Sequence, residues 1–203
     1  MEYGSLYKLY DPLATRPFIL SVPQDWIDIP KANQLFYGTW QPPEPVLLKA
    51  VSGGQAADVL WTGLPPLFVV SQKVIDILHR NRFTGWGIFP VEVYDRKGAP
   101  LPRYQGFSIK SYAGKQDYSR STFIMKPLVP GGKPSGVYKG TFFDESKWDG
   151  SDIFRIQHAI IIVTKPVMQE FKRNKIANVR FTPLLKTETD ELIYESLKRS
   201  GQL

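Results

Sequence analysis

Side chains suited to covalent or acid–base chemistry are scarce in this sequence. There are two histidines, His79 and His158, and no cysteine. Thiol nucleophiles, thiolate metal sites and disulfides are thereby excluded together. His79 falls at the basic end of a predicted helix, where a cation complements the helix dipole and no catalytic role is needed to explain it. There is no His-x-x-x-His pair, no Gly-x-Ser-x-Gly elbow, no phosphate-binding loop ending in Gly-Lys-Ser/Thr and no Gly-x-Gly-x-x-Gly. The densest acidic cluster comprises Asp144, Glu145, Asp149 and Asp152. As a hard-cation site it lacks the alternating oxygens and distal glutamate of a calcium loop. Asp149-Gly-Ser-Asp152 reads instead as a capped turn before a strand, with the Trp148 indole beside it. No catalytic residue, cofactor or metal is expected.

Recognition chemistry is better supplied. Basic and aromatic residues interleave at Arg103, Tyr104, Phe107, Lys110, Tyr112, Lys115, Tyr118 and Arg120. Aromatic faces stack on bases and cations meet phosphates, so one reading is a nucleic-acid-binding or regulatory module. The solvated face of a strand followed by a polar loop has the same composition, and the core motif of an RNA-recognition domain is missing. For a protein partner, the candidate contacts are Tyr112, Lys115, Tyr118, Arg120, Asp144, Glu145, Trp148 and Asp149. A net charge of +7 and a pI near 9.5 bias any partner toward an anionic surface.

The elements that must position these groups are organised by an internal repeat. LFVVSQKVIDILHRNRFTGWGIFPV, Leu67 to Val91, aligns with IIIVTKPVMQEFKRNKIANVRFTPL, Ile160 to Leu184, when Ser71 is laid on Thr164. Each copy predicts a strand, a hydroxyl residue at a helix N-cap, a short helix and a second strand. Val74, Ile75 and Leu78, like Val167, Met168 and Phe171, share one helix face. Arg80-Asn81-Arg82 and Arg173-Asn174-Lys175 end the helices, and Gly85 and Asn178 suit a left-handed turn. Upstream, Asp58-Val-Leu-Trp echoes Asp152-Ile-Phe-Arg. Whether the two strands of each copy are parallel neighbours is left open by the sequence.

These features predict an α+β fold with a mixed, mainly antiparallel sheet, built on a duplicated β-α-β unit and a C-terminal helix. The expected organisation is one domain over 1–203, with halves at about 58–95 and 152–186 joined by a long loop region, 113–150, in which the apolar pieces Phe123-Ile-Met and Gly136 to Phe143 predict one or two strands. Short strands are expected at Leu6 to Tyr10, Phe18 to Val22 and Val46 to Val51, with irregular chain over Asp11 to Pro17 and Pro23 to Pro45. Trp26 and Trp40 read as anchors that pin those loops. Asp95-Arg-Lys-Gly predicts a turn joining two strands in a hairpin, and Pro130 to Gly136 a mobile segment. Thr187 or Thr189 should cap the last helix, whose Leu192, Ile193 and Leu197 form a stripe facing the sheet or, as the less favoured reading, a partner. The amino terminus carries no secretory signal pattern and no apolar run approaches a membrane span, so a cytoplasmic protein without membrane contact is expected.

Trp148-Asp-Gly-Ser-Asp-Ile-Phe-Arg155, the strand after it, Thr164, Asn174 and Arg180-Phe-Thr-Pro183 together resemble a bacterial immunity-protein family first associated with myxobacterial toxin systems. Leu67 to Ser71 is similar to a recurring element of the same group, and the likeness spans about Asp58 to Leu185. The resemblance implies a small cytoplasmic protein, not an enzyme, whose partner is a cognate toxin protein that it binds and neutralises.

Overall fold

The computed structural model describes residues 3–12, 18–22, 27–127 and 129–201, and only the backbone of His158. Trp26, and most of the proline-bearing stretch after Asp11, lie outside the described residues. In chain order the first half contains β1 (Leu6–Tyr10), β2 (Ile19–Ser21), α1 (Ile29–Tyr37), β3 (Val46–Ser52), β4 (Val59–Thr62) and β5 (Phe68–Ser71). Then come α2 (Gln72–Arg80), β6 (Trp86–Phe89), β7 (Val91–Tyr94) and β8 (Tyr104–Ile109). The second half contains β9 (Thr122–Pro127), β10 (Pro134–Lys139), β11 (Ile153–Ile156), β12 (Ile160–Thr164), α3 (Lys165–Arg173), β13 (Arg180–Pro183), β14 (Glu188–Asp190) and α4 (Glu191–Arg199).

The fold is α+β with mainly antiparallel sheets. Seven strands run in the order β6-β8-β5-β4-β2-β3-β7, four in the order β11-β12-β1-β13, and three in the order β14-β10-β9. Only Pro90 separates β6 from β7, yet these two strands form opposite edges of the seven-stranded sheet. The chain itself therefore ties the edges together and rolls the sheet. Proline suits this corner because it has no N–H to give a ladder, and its carbonyl accepts from Val46 N at 3.0 Å. The expected hairpin is thus split: β6 pairs with β8, while β7 leaves to run parallel to β3.

The stretch expected to be irregular before Pro45 contains α1. Asp28 accepts from Lys31 N at 2.9 Å, Pro30 sits in the first turn, and Gly38 closes the helix at φ 67°. Ala32, Leu35 and Phe36 are fully buried against the rolled sheet, and Ser108 donates to the Leu35 carbonyl at 2.8 Å. Each such large apolar side chain contributes about 1.5–3 kcal/mol on leaving water. Trp40 is half-buried against the same core.

The two repeat segments take corresponding forms. Strands β5 and β6 both pair antiparallel with β8, and β12 and β13 both pair antiparallel with β1. Each β-α-β connection therefore crosses over one strand contributed from elsewhere in the chain. Ser71 and Thr164 occupy the helix N-caps with extended backbones, but their hydroxyls make no capping bond. They turn instead to Asp58 (3.0 Å) and Asp152 (3.3 Å). Asn81 and Asn174 close the helices, each donating its amide to a carbonyl four residues back at 2.8 Å. Arg82 and Lys175 follow at φ 56° and 52°.

The halves hold one another by reciprocal bonds. The second carboxylate oxygen of Asp58 accepts from Ala177 N (2.9 Å), in the turn after α3. That of Asp152 accepts from Thr84 N (3.0 Å), in the turn after α2. Gly85 shows why the turn needs glycine: its φ is 91°, and a Cβ there would lie 1.9 Å from the Ile153 carbonyl oxygen.

The long joining region contains two strands, as its apolar pieces suggest: β9 and β10 form an antiparallel hairpin that β14 extends. Pro134 to Gly136, from the segment expected to be mobile, belong to β10. The last helix also departs from expectation. Its cap is Asp190, accepting from Leu192 N at 2.8 Å, because Thr187 is buried in hydrogen bonds to Thr141 and the Leu184 carbonyl. Leu192 and Ile193 are 71% and 53% exposed, while Tyr194 packs on Tyr138 of the sheet and Glu191 lies over Gly136. Among the described residues, no helix is long and apolar enough to cross a membrane.

Candidate interaction surface

The sequence-predicted contacts separate into three neighbourhoods. Tyr112 is 45% exposed and covers the Arg155 guanidinium at 4.5 Å, while Tyr37 at the end of α1 covers it at 3.7 Å. The backbone of Arg155 is pinned by Ser111 and Ala113, through bonds of 3.0 and 2.9 Å. Its Nε is buried without a hydrogen-bond partner. Burial pulls the guanidinium pKa down, and the two tyrosines partly offset this. The group stays charged, since arginine titrates far above neutrality. A cation stacked between aromatic rings is pre-organised, and Arg and Tyr dominate the energetics of protein interfaces.

The second neighbourhood is a set of internal braces. Arg120 pairs with Glu145 at 2.9 Å and lies over the Tyr3 and Phe142 rings at 5.0 and 4.9 Å. Asp144 accepts from the Ser146 amide and hydroxyl, which holds its carboxyl below the usual range. Asp149 accepts from Ser111, from Ser151 Oγ and from Ser151 N. Burial opposes ionisation of Asp149, yet these donors outweigh it and lower its pKa. Trp148 donates to the Ser151 carbonyl at 3.0 Å and packs on Phe154. Lys115 is exposed nearby in sequence. Among the described residues, no three His, Asp or Glu side chains gather as metal ligands would.

The basic and aromatic stripe is not assembled on one face. Phe107 is 4% exposed and stacks on Trp86 with centroids 5.7 Å apart, because its position in β8 points into the core. The Tyr104 hydroxyl donates to the Ala57 carbonyl at 2.8 Å. Lys110 lays its stem along Gly38 and Gly87, where a Cβ would clash with it.

The third neighbourhood is the three-stranded sheet with α4. Tyr118, Tyr138 and Tyr194 meet at centroid distances of 4.6–5.5 Å, and the Phe123 ring adds to them 5.2 Å from Tyr138. Of the large apolar side chains exposed among the described residues, Phe123 (47%), Met125 (61%), Val129 (63%), Leu192 (71%) and Ile193 (53%) belong to this short unit. Single exposed apolar residues are ordinary, whereas five within one short unit make it the candidate contact surface.

Sequence reasoning identified Tyr112 and Tyr118 but missed Tyr37, Arg155, Tyr138 and Tyr194. A charged residue inside the apolar strand Ile153–Ile156 was a usable signal for Arg155. Nothing local marks the tyrosines, since three separate segments bring them together. Fold and surface define an α+β protein with a rolled sheet and an appended aromatic, apolar sheet. No protein-family model matches the chain, and no curated protein gives a significant match to it.

Proposed function

We propose that this chain is a non-catalytic, cytoplasmic protein-binding module of the immunity type, which neutralises a cognate bacterial toxin by direct binding. The observation that carries the reading is the gathering of exposed apolar and aromatic side chains on the three-stranded sheet and α4. The rigid tyrosine cluster behind them suits an anchor that loses little conformational freedom on binding. The resemblance of Trp148 to Arg155, Arg180 to Pro183 and Leu67 to Ser71 to an immunity family points the same way. A charge of +7 favours fast, steered association with an acidic toxin surface.

The test is co-expression with the product of the neighbouring gene, beside a Leu192→Asp/Ile193→Asp double variant. Growth is expected with the native chain and is expected to fail with the variant, while the two circular dichroism spectra agree. A neighbouring product that is harmless alone, or lethal despite the native chain, overturns the reading.

A further inference from the structure

We infer that β9 is a docking edge, which takes an extended segment of alternating apolar and acidic residues from the partner protein as a fourth strand. The proposal rests on the protein-binding reading for the owner of that segment, but the edge itself is argued from the backbone. In the sheet β14-β10-β9, strand β9 is the outer one. It pairs with β10 from Thr122↔Lys139 to Pro127↔Pro134.

The two prolines set the direction of every other group on that ladder. Opposed residues of antiparallel strands alternate between pairs that exchange both N–H···O bonds and pairs that exchange none. Neither proline has an N–H, so Pro127↔Pro134 is a non-bonded pair. Counting back, Lys126, Ile124 and Thr122 bond to β10, whereas Met125 and Phe123 turn their N–H and C=O groups away from it. The far side of β10 agrees: Tyr138, opposite Phe123, is the central residue of the ladder to β14.

Phe123 and Met125 thus face solvent with backbone and side chain alike, at 47% and 61% exposure. Natural edges are commonly guarded by lysine or proline. Here the Lys126 ammonium is drawn back across the sheet to Glu188, and Pro127 blocks only the end of the strand. Beside the open stretch lies the Phe123, Tyr138, Tyr194 shelf, on which alternate side chains of an added strand would rest. Main-chain bonds would supply affinity and the shelf selectivity.

Charge chooses the occupant. The hairpin over residues 122–139 carries Lys126, Lys133 and Lys139 and no acidic residue, with Lys133 and Lys139 exposed. Lys126, the one lysine on β9, is already held by Glu188, so an added strand meets the charge of the exposed Lys133 and Lys139, which favours an acidic segment.

The experiment follows amide hydrogen exchange by NMR in the full chain, alone and with an acetylated octapeptide of alternating valine and glutamate. In the free chain the Phe123 and Met125 amides should exchange at least about 100-fold faster than that of Ile124. Saturating peptide should slow both at least about tenfold. The valine–lysine octapeptide should slow neither. Met125→Pro, which removes one outward N–H, should abolish the effect while the Val137 amide stays protected. Met125→Lys keeps the backbone and should favour the glutamate peptide further.

An Ile124 amide as fast as its neighbours overturns the edge assignment. Equal protection by the lysine peptide overturns the charge selection, and a self-associated chain that Met125→Pro makes monomeric shows a second copy as the occupant. If the glutamate peptide protects neither amide while the native chain still rescues growth, the edge is refuted and the protein-binding reading stands.

Discussion

Asp58 offers the sharpest test of how the two halves are joined. Its carboxylate accepts from Ser71 Oγ at 3.0 Å and Ala177 N at 2.9 Å, and pairs with Lys73 at 3.3 Å. Its side chain is 17% exposed and that of Lys73 48%. Hydrogen bonds to a charged group contribute about 1.5–3 kcal/mol each, whereas a half-exposed ion pair contributes about 0–1. The two bonds end on the two oxygens of one carboxylate and do not add fully, so Asp58→Ala is expected to cost about 2–4 kcal/mol. For a chain of this size that lowers Tm by roughly 5–15 °C. Asp58→Asn should cost less than Asp58→Ala, since its Oδ1 still accepts from Ala177 N while its amide donates to the Ser71 hydroxyl, and only the charge is lost. Lys73→Ala should cost under about 1 kcal/mol. Urea unfolding followed by fluorescence at neutral pH measures all three. A Lys73→Ala variant as unstable as Asp58→Ala would make the ion pair the agent, and a loss below about 0.5 kcal/mol in Asp58→Ala would refute the clamp.

The same approach extends to three other positions. Gly85→Ala places a Cβ 1.9 Å from the Ile153 carbonyl oxygen at φ 91°, and should destabilise by more than about 3 kcal/mol in the same unfolding assay. Tyr3 exchanges hydrogen bonds with Phe143 at 2.8 and 3.1 Å, and burial pushes its pKa up to about 12. Its phenol is neutral in folded and unfolded chains below pH 10, so its contribution is intact there and is lost as pH rises from 10 to 12. Tyr3→Phe should be less stable at pH 8 yet lose about 1–2 kcal/mol less than the native chain over that rise, by pH-resolved denaturation. Arg155→Ala, which empties the space between the Tyr37 and Tyr112 rings, should destabilise by about 1–2 kcal/mol in the same unfolding assay. Arg155→Lys should restore only part of this, because an ammonium cannot stack as a planar group.

Local order was legible where its cause was local. The strand, cap and helix pattern from Leu67 and from Ile160 was readable because 3.6-residue spacing, terminal charge and Asn or Gly stop signals lie within one segment. The signals for α1, Asp28, Pro30 and Gly38, were equally local but were masked by the surrounding prolines. The stripe of α4 left the sheet and a partner both open as its cover, because an amphipathic pattern shows which face is apolar and not what covers it. Leu192 and Ile193 face outward, and Tyr194 docks instead.

What the sequence determined alone is the class of fold, the two helix-centred segments, the absence of thiol chemistry and the basic charge. Each follows from composition or from periodicity within about twenty residues. Tertiary structure decided which strands separate the repeats, that β6 and β7 close the rolled sheet around Pro90, and that Arg155 lies between Tyr37 and Tyr112. It also set Phe123 and Met125 on an open edge. Such pairings join residues far apart in the chain, and they are chosen by which apolar faces can be buried together, a property of the packed molecule that no single segment carries.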